Sequence, residues 1–223
     1  MAVEQIVFDE ICKFAPARIL SLGYPDLLLS GPPVTKVQEN SDRISKYHNW
    51  SGPTADTESA FKAVGLDAVY VDISSSRGIE RIVDLNAELP DDLAGQFDIV
   101  LDPGTVEHCF NIGQAFRNIF KALKPKGTVI HVNPVSMINH GFWNLSPTAY
   151  YDWYIDNGFD SVEVRVIWGA INKRNVQVVP PLSRYKLPPE ASCFVTATRS
   201  SLKTDQPLWP VQSKYKRNPS LMA

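Results

Sequence analysis

Phe97-Asp-Ile-Val-Leu-Asp102 is followed by Pro103-Gly-Thr-Val-Glu-His108, an apolar-periodic run from Ile112 to Leu123, and Thr128-Val-Ile-His-Val-Asn133. This stretch decides the fold. The first and last segments read as strands that are apolar on both faces, as in a sheet covered by helices on each side. Between them, Ile112, Ala115, Phe116, Ile119, Phe120 and Leu123 recur at the spacing of one buried helical face. Pro125 and Gly127 stop that helix. Strand, crossover helix and strand make a parallel βαβ unit.

The pattern extends outward in both directions. Upstream, Glu4–Phe14 reads as a short helix, Arg18–Gly23 as a strand, Thr57–Val64 as a helix capped by Asp56, and Ala68–Ile73 and Arg81–Leu85 as strands. Downstream, Ser146-Pro147 opens a helix that closes at Asn157-Gly158, and Val162–Trp168 and Cys193–Thr198 are late strands. The whole predicts a Rossmann-like, doubly wound α/β fold with a mostly parallel seven-stranded sheet. One domain spans residues 1–199. Within it, 24–56 is expected to be a lid or insertion loop and 170–190 a late loop insertion. Residues 200–223 are expected to form an irregular tail.

The chain has 223 residues, 22 basic and 24 acidic side chains, and 44% hydrophobic residues. That suffices for a full core and gives no basic excess for phosphate backbones, so no nucleic-acid partner is expected. No apolar run is long enough for a membrane span, and the start lacks a secretory pattern. Cys12, Cys109 and Cys193 are odd in number and scattered, which fits a reducing, cytoplasmic setting better than a disulfide framework. No H-E-x-x-H or C-x-x-C motif occurs, and His108 and Cys109 are adjacent, so no metal site is expected. The expected state is a monomer or homodimer.

Ligands of parallel α/β sheets bind beyond the carboxyl ends of the strands. Those ends are Gly23, Asp72, Asp84, Asp102 and Asn133. A carboxylate at Asp72 can accept both hydroxyls of a ribose, and one at Asp84 can accept from an exocyclic amine. Both can equally cap their own turns. The dinucleotide fingerprint G-x-G-x-x-G and the phosphate-binding P-loop are absent. His131, inside an apolar strand, is expected in the core. His108 and His140 can converge on one pocket and serve as proton acceptors.

The stretch Phe97–His108, joined to Leu123-Lys-Pro-Lys-Gly-Thr-Val-Ile130, resembles the class I S-adenosylmethionine-dependent methyltransferases. His140-Gly-Phe-Trp-Asn-Leu-Ser-Pro147 adds similarity to a bacterial branch that acts on small molecules or glycans. The resemblance spans residues 18–168. It implies S-adenosyl-L-methionine as cofactor and a small-molecule or saccharide acceptor. It implies that Gly23, Tyr24, Pro25 and Asp26 face the methionine end, Asp72 and Ile73 the ribose, and Asp84 and Leu85 the adenine. Asp102, Pro103, Gly104 and His108 would floor the sulfonium. Asn139, His140, Trp143, Tyr150 and Tyr151 are expected on the acceptor side, with His140 and His108 catalytic. The chain departs from the pattern at Gly23-Tyr-Pro-Asp26, where a single glycine stands in the usual glycine-rich loop. Two other readings stay open: a non-methyl use of the same cofactor, by cyclisation or lyase chemistry, and a non-catalytic binding or scaffold protein with a degenerate cofactor site.

Overall fold

The structure, a computed structural model, describes residues 2–31, 36–201 and 207–217. Its strands are β1 (Ala2–Glu4), β2 (Ala17–Leu22), β3 (Asp26–Leu28), β4 (Leu66–Asp72), β5 (Arg81–Ile82), β6 (Phe97–Asp102), β7 (Leu123–Pro134), β8 (Phe159–Trp168), β9 (Asn175–Val178) and β10 (Ser192–Arg199). Its helices are α1 (Gln5–Cys12), α2 (Ser41–Tyr47), α3 (Thr57–Ala63), α4 (Ile112–Ala122), α5 (Pro147–Asp156) and α6 (Ser213–Arg217). Among the described residues no helix is long and apolar enough to cross a membrane.

The main sheet has eight strands in the order β5-β4-β2-β6-β7-β10-β8-β9. β5, β4, β2, β6 and β7 run parallel. β10 lies between β7 and β8 and is antiparallel to both. β9 adds an antiparallel edge to β8. This edge is the strand beyond the seven expected. It comes from the polar 170–190 segment, whose fully exposed Asn175–Val178 carries no burial signal to read.

Both faces of the sheet are covered. Leu20, Leu22, Val71 and Val100 point to one side, where they pack with α4 and α5. Ile19, Ile99, Leu101 and Tyr70 point to the other, where Val7, Phe8 and Ile11 of α1 and Phe61 of α3 meet them. α3 and α5 start where polar caps satisfy early N–H groups: Asp56 accepts from Ser59 N at 3.0 Å, and Ser146 accepts from Thr148 N ahead of Pro147.

Residues 24–56 are more structured than a loop. β3 pairs in parallel with β1 as a small second sheet, and α2 follows. Apolar Leu27, Leu28 and Leu29 are buried there, which the Pro and Gly punctuation around them hides. Residues 32–35 of that segment, and 202–206 and 218–223 of the tail, lie outside the described residues. The described part of the tail docks on α5: Asn157 Nδ2 donates to the Leu208 carbonyl, Trp209 packs on Trp153, and Ser213 binds Asp152.

The chain order reverses between β2 and β6, whose carboxyl ends therefore flank a topological crevice. The candidate site lies there.

Candidate functional site

Two cavities open beyond the parallel strands. The smaller, about 330 Å³, is lined by Asp72, Ile73, Asp84, Leu85, Gly104 and His108, with Val71, Val83, Asn86, Thr105 and Cys109. The larger, about 550 Å³, is lined by Glu107, Asn139, His140, Met137, Tyr47 and His48, with the Glu4–Arg174 pair at one side. Gly104 and His108 belong to both. Each volume falls in the range of small-molecule sites.

The smaller cavity has the carboxylate of Asp72, at the end of β4, and that of Asp84, two residues beyond β5, with apolar walls between them. Asp72 Oδ1 accepts from Ser74 N at 3.0 Å, and Asp84 Oδ1 accepts from Asn86 N at 2.9 Å. Both acids therefore cap their own turns and border the cavity. The backbone and side-chain donors of Asn86 hold the Asp84 carboxyl below its ordinary value, so it is an acceptor at neutral pH. Burial first, then the surrounding carboxylates, pushes the Cys109 thiol up to about 12, so it lines the wall as a neutral group.

Beneath the boundary between the cavities lies a buried polar network. Asp102 is fully buried. Its Oδ1 accepts from Thr105 N and Val106 N, and its Oδ2 from Asn133 Nδ2 at 2.8 Å and His131 Nδ1 at 2.7 Å. With Nδ1–H donating to Asp102, His131 Nε2 accepts from the Tyr154 hydroxyl at 2.6 Å. Asn133 Nδ2 also donates to Glu107 Oε2 at 3.0 Å, while its Oδ1 accepts from the Tyr150 hydroxyl at 2.6 Å. His131 thus has the core role expected of it. Asp102, expected to floor the sulfonium, is a buried member of the same network.

Glu107 ends this network and faces outward. Its side chain is fully buried, and its Oε1 accepts no hydrogen bond from any of the described residues. That oxygen lies 3.6 Å from His140 Nε2 and 3.9 Å from His108 Nε2. Burial, then Asp102, pushes the Glu107 carboxyl up to about 8. Burial, then the neighbouring His140, lowers the proton affinity of His108. The two imidazole rings are 5.4 Å apart.

Backbone geometry builds this convergence. Glu107 and His108 share a single 3₁₀ turn, Val106–His108, where neighbouring side chains diverge by about 120°, and the reach of the two side chains brings His108 Nε2 to 3.9 Å from Glu107 Oε1. Phe142 N and Trp143 N both donate to the Glu107 carbonyl, which clamps the 140–143 segment beside it. Gly104 has φ +97°, and a β-carbon there would lie 3.2 Å from Glu107 Oε1.

Of the residues expected to bind cofactor, Asp72, Ile73, Asp84, Leu85, Gly104 and His108 meet in one cavity, and Pro103 lines the other. The loop after β2 does not join them. Gly23 has φ +96° and donates to the Val71 carbonyl, and the chain then turns to the opposite face. There Tyr24 is buried against Tyr70, ring centres 4.8 Å apart, and Pro25 accepts from Thr57. Asp26 pairs with Arg77 at 2.7 Å and His48 at 3.0 Å. Of the expected acceptor residues, Asn139 and His140 line the larger cavity. Tyr150 and Tyr151 are core residues, the latter donating to the Val179 carbonyl at 2.6 Å. Trp143 donates from Nε1 to the Cys109 carbonyl beside the exposed ring of Phe110 and borders neither cavity.

The sequence reading missed two things. Glu107 is the junction of the site, and it was legible only as the neighbour of His108. The second is the His108–Glu107–His140 cluster, whose ligating atoms all lie within 4.8 Å of one another and which the expectation of no metal site did not consider. No spacing motif announces it, because two ligands are adjacent and the third is far along the chain.

No family model and no curated protein sequence matches the chain. Solved structures similar to it include the CMeT domain of the citrinin polyketide synthase, at 13% identity and TM-score 0.49, covering 89% of this chain. The chain spans about half (52%) of that relative's length. The YcgJ protein of Bacillus subtilis is similar at 11% identity and TM-score 0.48, covering 86% of this chain and 97% of the other. An S-adenosylmethionine-dependent methyltransferase of Thermotoga maritima is similar at 13% identity and TM-score 0.42, covering 86% and 93%.

Proposed function

We propose that the protein is an S-adenosylmethionine-dependent methyltransferase acting on a small-molecule or saccharide acceptor. The observation that carries this reading is the pair of strand-end carboxylates, Asp72 and Asp84, in a cavity that shares Gly104 and His108 with a second cavity. One cavity suits a nucleoside and the other an acceptor. The sequence resemblance of Phe97–His108 and Leu123–Ile130 points the same way. The antiparallel β10 beside β7 sets the sheet apart from the dinucleotide-binding order of six parallel strands.

The residues fit the nucleoside part of the cofactor. Asp72 would accept from the ribose hydroxyls and Asp84 from the adenine amine, with Val83 and Leu85 as apolar walls. Gly104 keeps the boundary open where a side chain would crowd it. The lone glycine after β2 offers no loop to the methionine end, which falls instead to residues at the Gly104–His108 boundary. When bound, the cofactor would supply an electrophilic methyl group.

The chain's own contribution is positioning and proton handling. Held neighbours lower the barrier by fixing orientation. His140 and His108, at the junction, act on the proton the acceptor loses. Asn139 and the Glu4–Arg174 pair offer polar contacts to an acceptor, and Tyr47 and His48, from the 24–56 segment, roof the larger cavity.

Calorimetric titration of the purified protein with S-adenosylmethionine tests the binding half of this reading, with one bound equivalent expected. Mass analysis of the products after incubation with candidate acceptors tests the rest. S-adenosylhomocysteine supports methyl transfer, and methylthioadenosine would mean cyclisation or lyase chemistry instead. Absence of binding would leave a scaffold.

A further inference from the structure

We propose that Glu107, His108 and His140 form a binding site for a divalent transition-metal ion, with Zn²⁺ as the fitting probe, at the boundary of the two cavities. Four-coordinate zinc bonds imidazole nitrogen and carboxylate oxygen at about 2.0–2.2 Å, so its ligand atoms stand roughly 3.4 Å apart. Glu107 Oε1 already lies 3.6 Å from His140 Nε2 and 3.9 Å from His108 Nε2. Closing those gaps needs only small rotations of two half-exposed rings.

The second observation is the state of Glu107 itself. Its Oε1 is buried, accepts no hydrogen bond, and points at the two imidazoles. A buried carboxylate oxygen without a partner is costly, and a cation at this point offsets the cost. The other oxygen is fixed by Asn133 Nδ2, and outer hydrogen bonds of this kind orient metal-ligating carboxylates.

Two imidazoles and one carboxylate suit zinc, iron(II) or cobalt(II) rather than magnesium or calcium, which prefer oxygen. Three protein ligands leave a fourth position free, as in catalytic rather than structural zinc sites. All three residues line the larger cavity, where an acceptor oxygen could reach a bound ion and be polarised. Metal binding itself does not depend on the methyltransferase reading.

The test uses the full chain, stripped with a chelator and titrated with Zn²⁺ against a chromogenic competitor, with Co²⁺ absorption as a probe of coordination. One equivalent of Zn²⁺ is expected, with a tetrahedral or five-coordinate Co²⁺ spectrum and a Zn²⁺-dependent rise in melting temperature. Glu107→Gln, His108→Ala and His140→Ala should each weaken Zn²⁺ at least tenfold. His48→Ala, in the same cavity but paired with Asp26, should bind as the parent does. Binding that survives both Glu107→Gln and His140→Ala, or no binding by the folded parent protein, would overturn the site. Loss of nucleoside binding with Zn²⁺ binding intact would count against the proposed function alone, and the reverse against the metal site alone.

Discussion

Gly141 packs so closely on Glu107 that a β-carbon built on it would lie 2.9 Å from the Glu107 carbonyl oxygen. The same β-carbon would lie 3.1 Å from His108 Nδ1. The glycine is what allows the His140 segment to reach the Glu107 turn and receive its two backbone hydrogen bonds. Gly141→Ala should therefore cost about 1–3 kcal/mol of stability, because the obstructing atom is backbone and cannot yield. It should also weaken Zn²⁺ binding. Denaturant unfolding and metal titration of the same preparation check this.

His140→Ala removes the ring without crowding the turn. Nucleoside affinity should stay within about threefold, under about 0.7 kcal/mol, because His140 does not border the smaller cavity. Turnover, once an acceptor is known, should fall by about a hundredfold or more if the imidazole handles the proton directly or through a metal. Parallel loss of affinity and turnover would make His140 a brace for the fold.

Asp72→Ala should weaken S-adenosylmethionine by about 1.5–3 kcal/mol, the usual worth of hydrogen bonds to a charged group. The Ser74 turn loses its cap, yet this turn is at the surface and the fold should survive. Calorimetry on the variant, with circular dichroism as a folding check, decides it. Unchanged affinity would remove the ribose from this strand end.

Tyr150→Phe leaves Asn133 Oδ1 buried without its donor. Stability should drop by about 1–3 kcal/mol. Cofactor affinity should not change, since the ring borders neither cavity. A stable variant with altered acceptor selectivity would return Tyr150 to the acceptor wall.

Glu10 on α1 pairs with Arg165 on β8 at 2.9 Å and with Lys13 at 3.1 Å. Burial alone would raise its carboxyl, but Arg165 and Lys13 together outweigh burial and hold it below the ordinary value. The unfolded chain binds this proton more readily, so the pair's contribution is full above the ordinary carboxylate range. It is lost as pH falls through the lower folded value. Melting temperature from pH 7 to pH 3 should therefore decline less steeply in Glu10→Gln than in the parent protein.

The sheet was legible because its strands and α4 carry clean signals: β6 holds the buried apolar run Ile99-Val-Leu101, β7 the buried Val129-Ile130, and Ala115, Phe116, Ile119 and Phe120 share one face of α4. Asp72 was legible for the same reason, as the last residue of β4, whereas Asp84 lies two residues beyond the end of β5, in the turn that it caps. Tyr150 and Tyr151 misled because Tyr150-Tyr-Asp-Trp-Tyr154 is aromatic nearly all round, so the sequence does not say which side meets the sheet. Tyr24 and Asp26 misled because a glycine at the end of β2 reads as the start of a ligand loop, whereas the positive φ of Gly23 turns the chain toward β3. Glu107 was hidden by its setting: it stands out in sequence only as the neighbour of His108, and only tertiary packing brings His140 to them.

The most direct test is a crystal structure of the protein with S-adenosylhomocysteine. The account predicts the adenosine in the smaller cavity, ribose hydroxyls within hydrogen-bond reach of Asp72, the adenine amine toward Asp84, and the sulfur at the Gly104–His108 boundary facing the larger cavity. A nucleoside bound elsewhere, or no binding at saturating ligand, would contradict it.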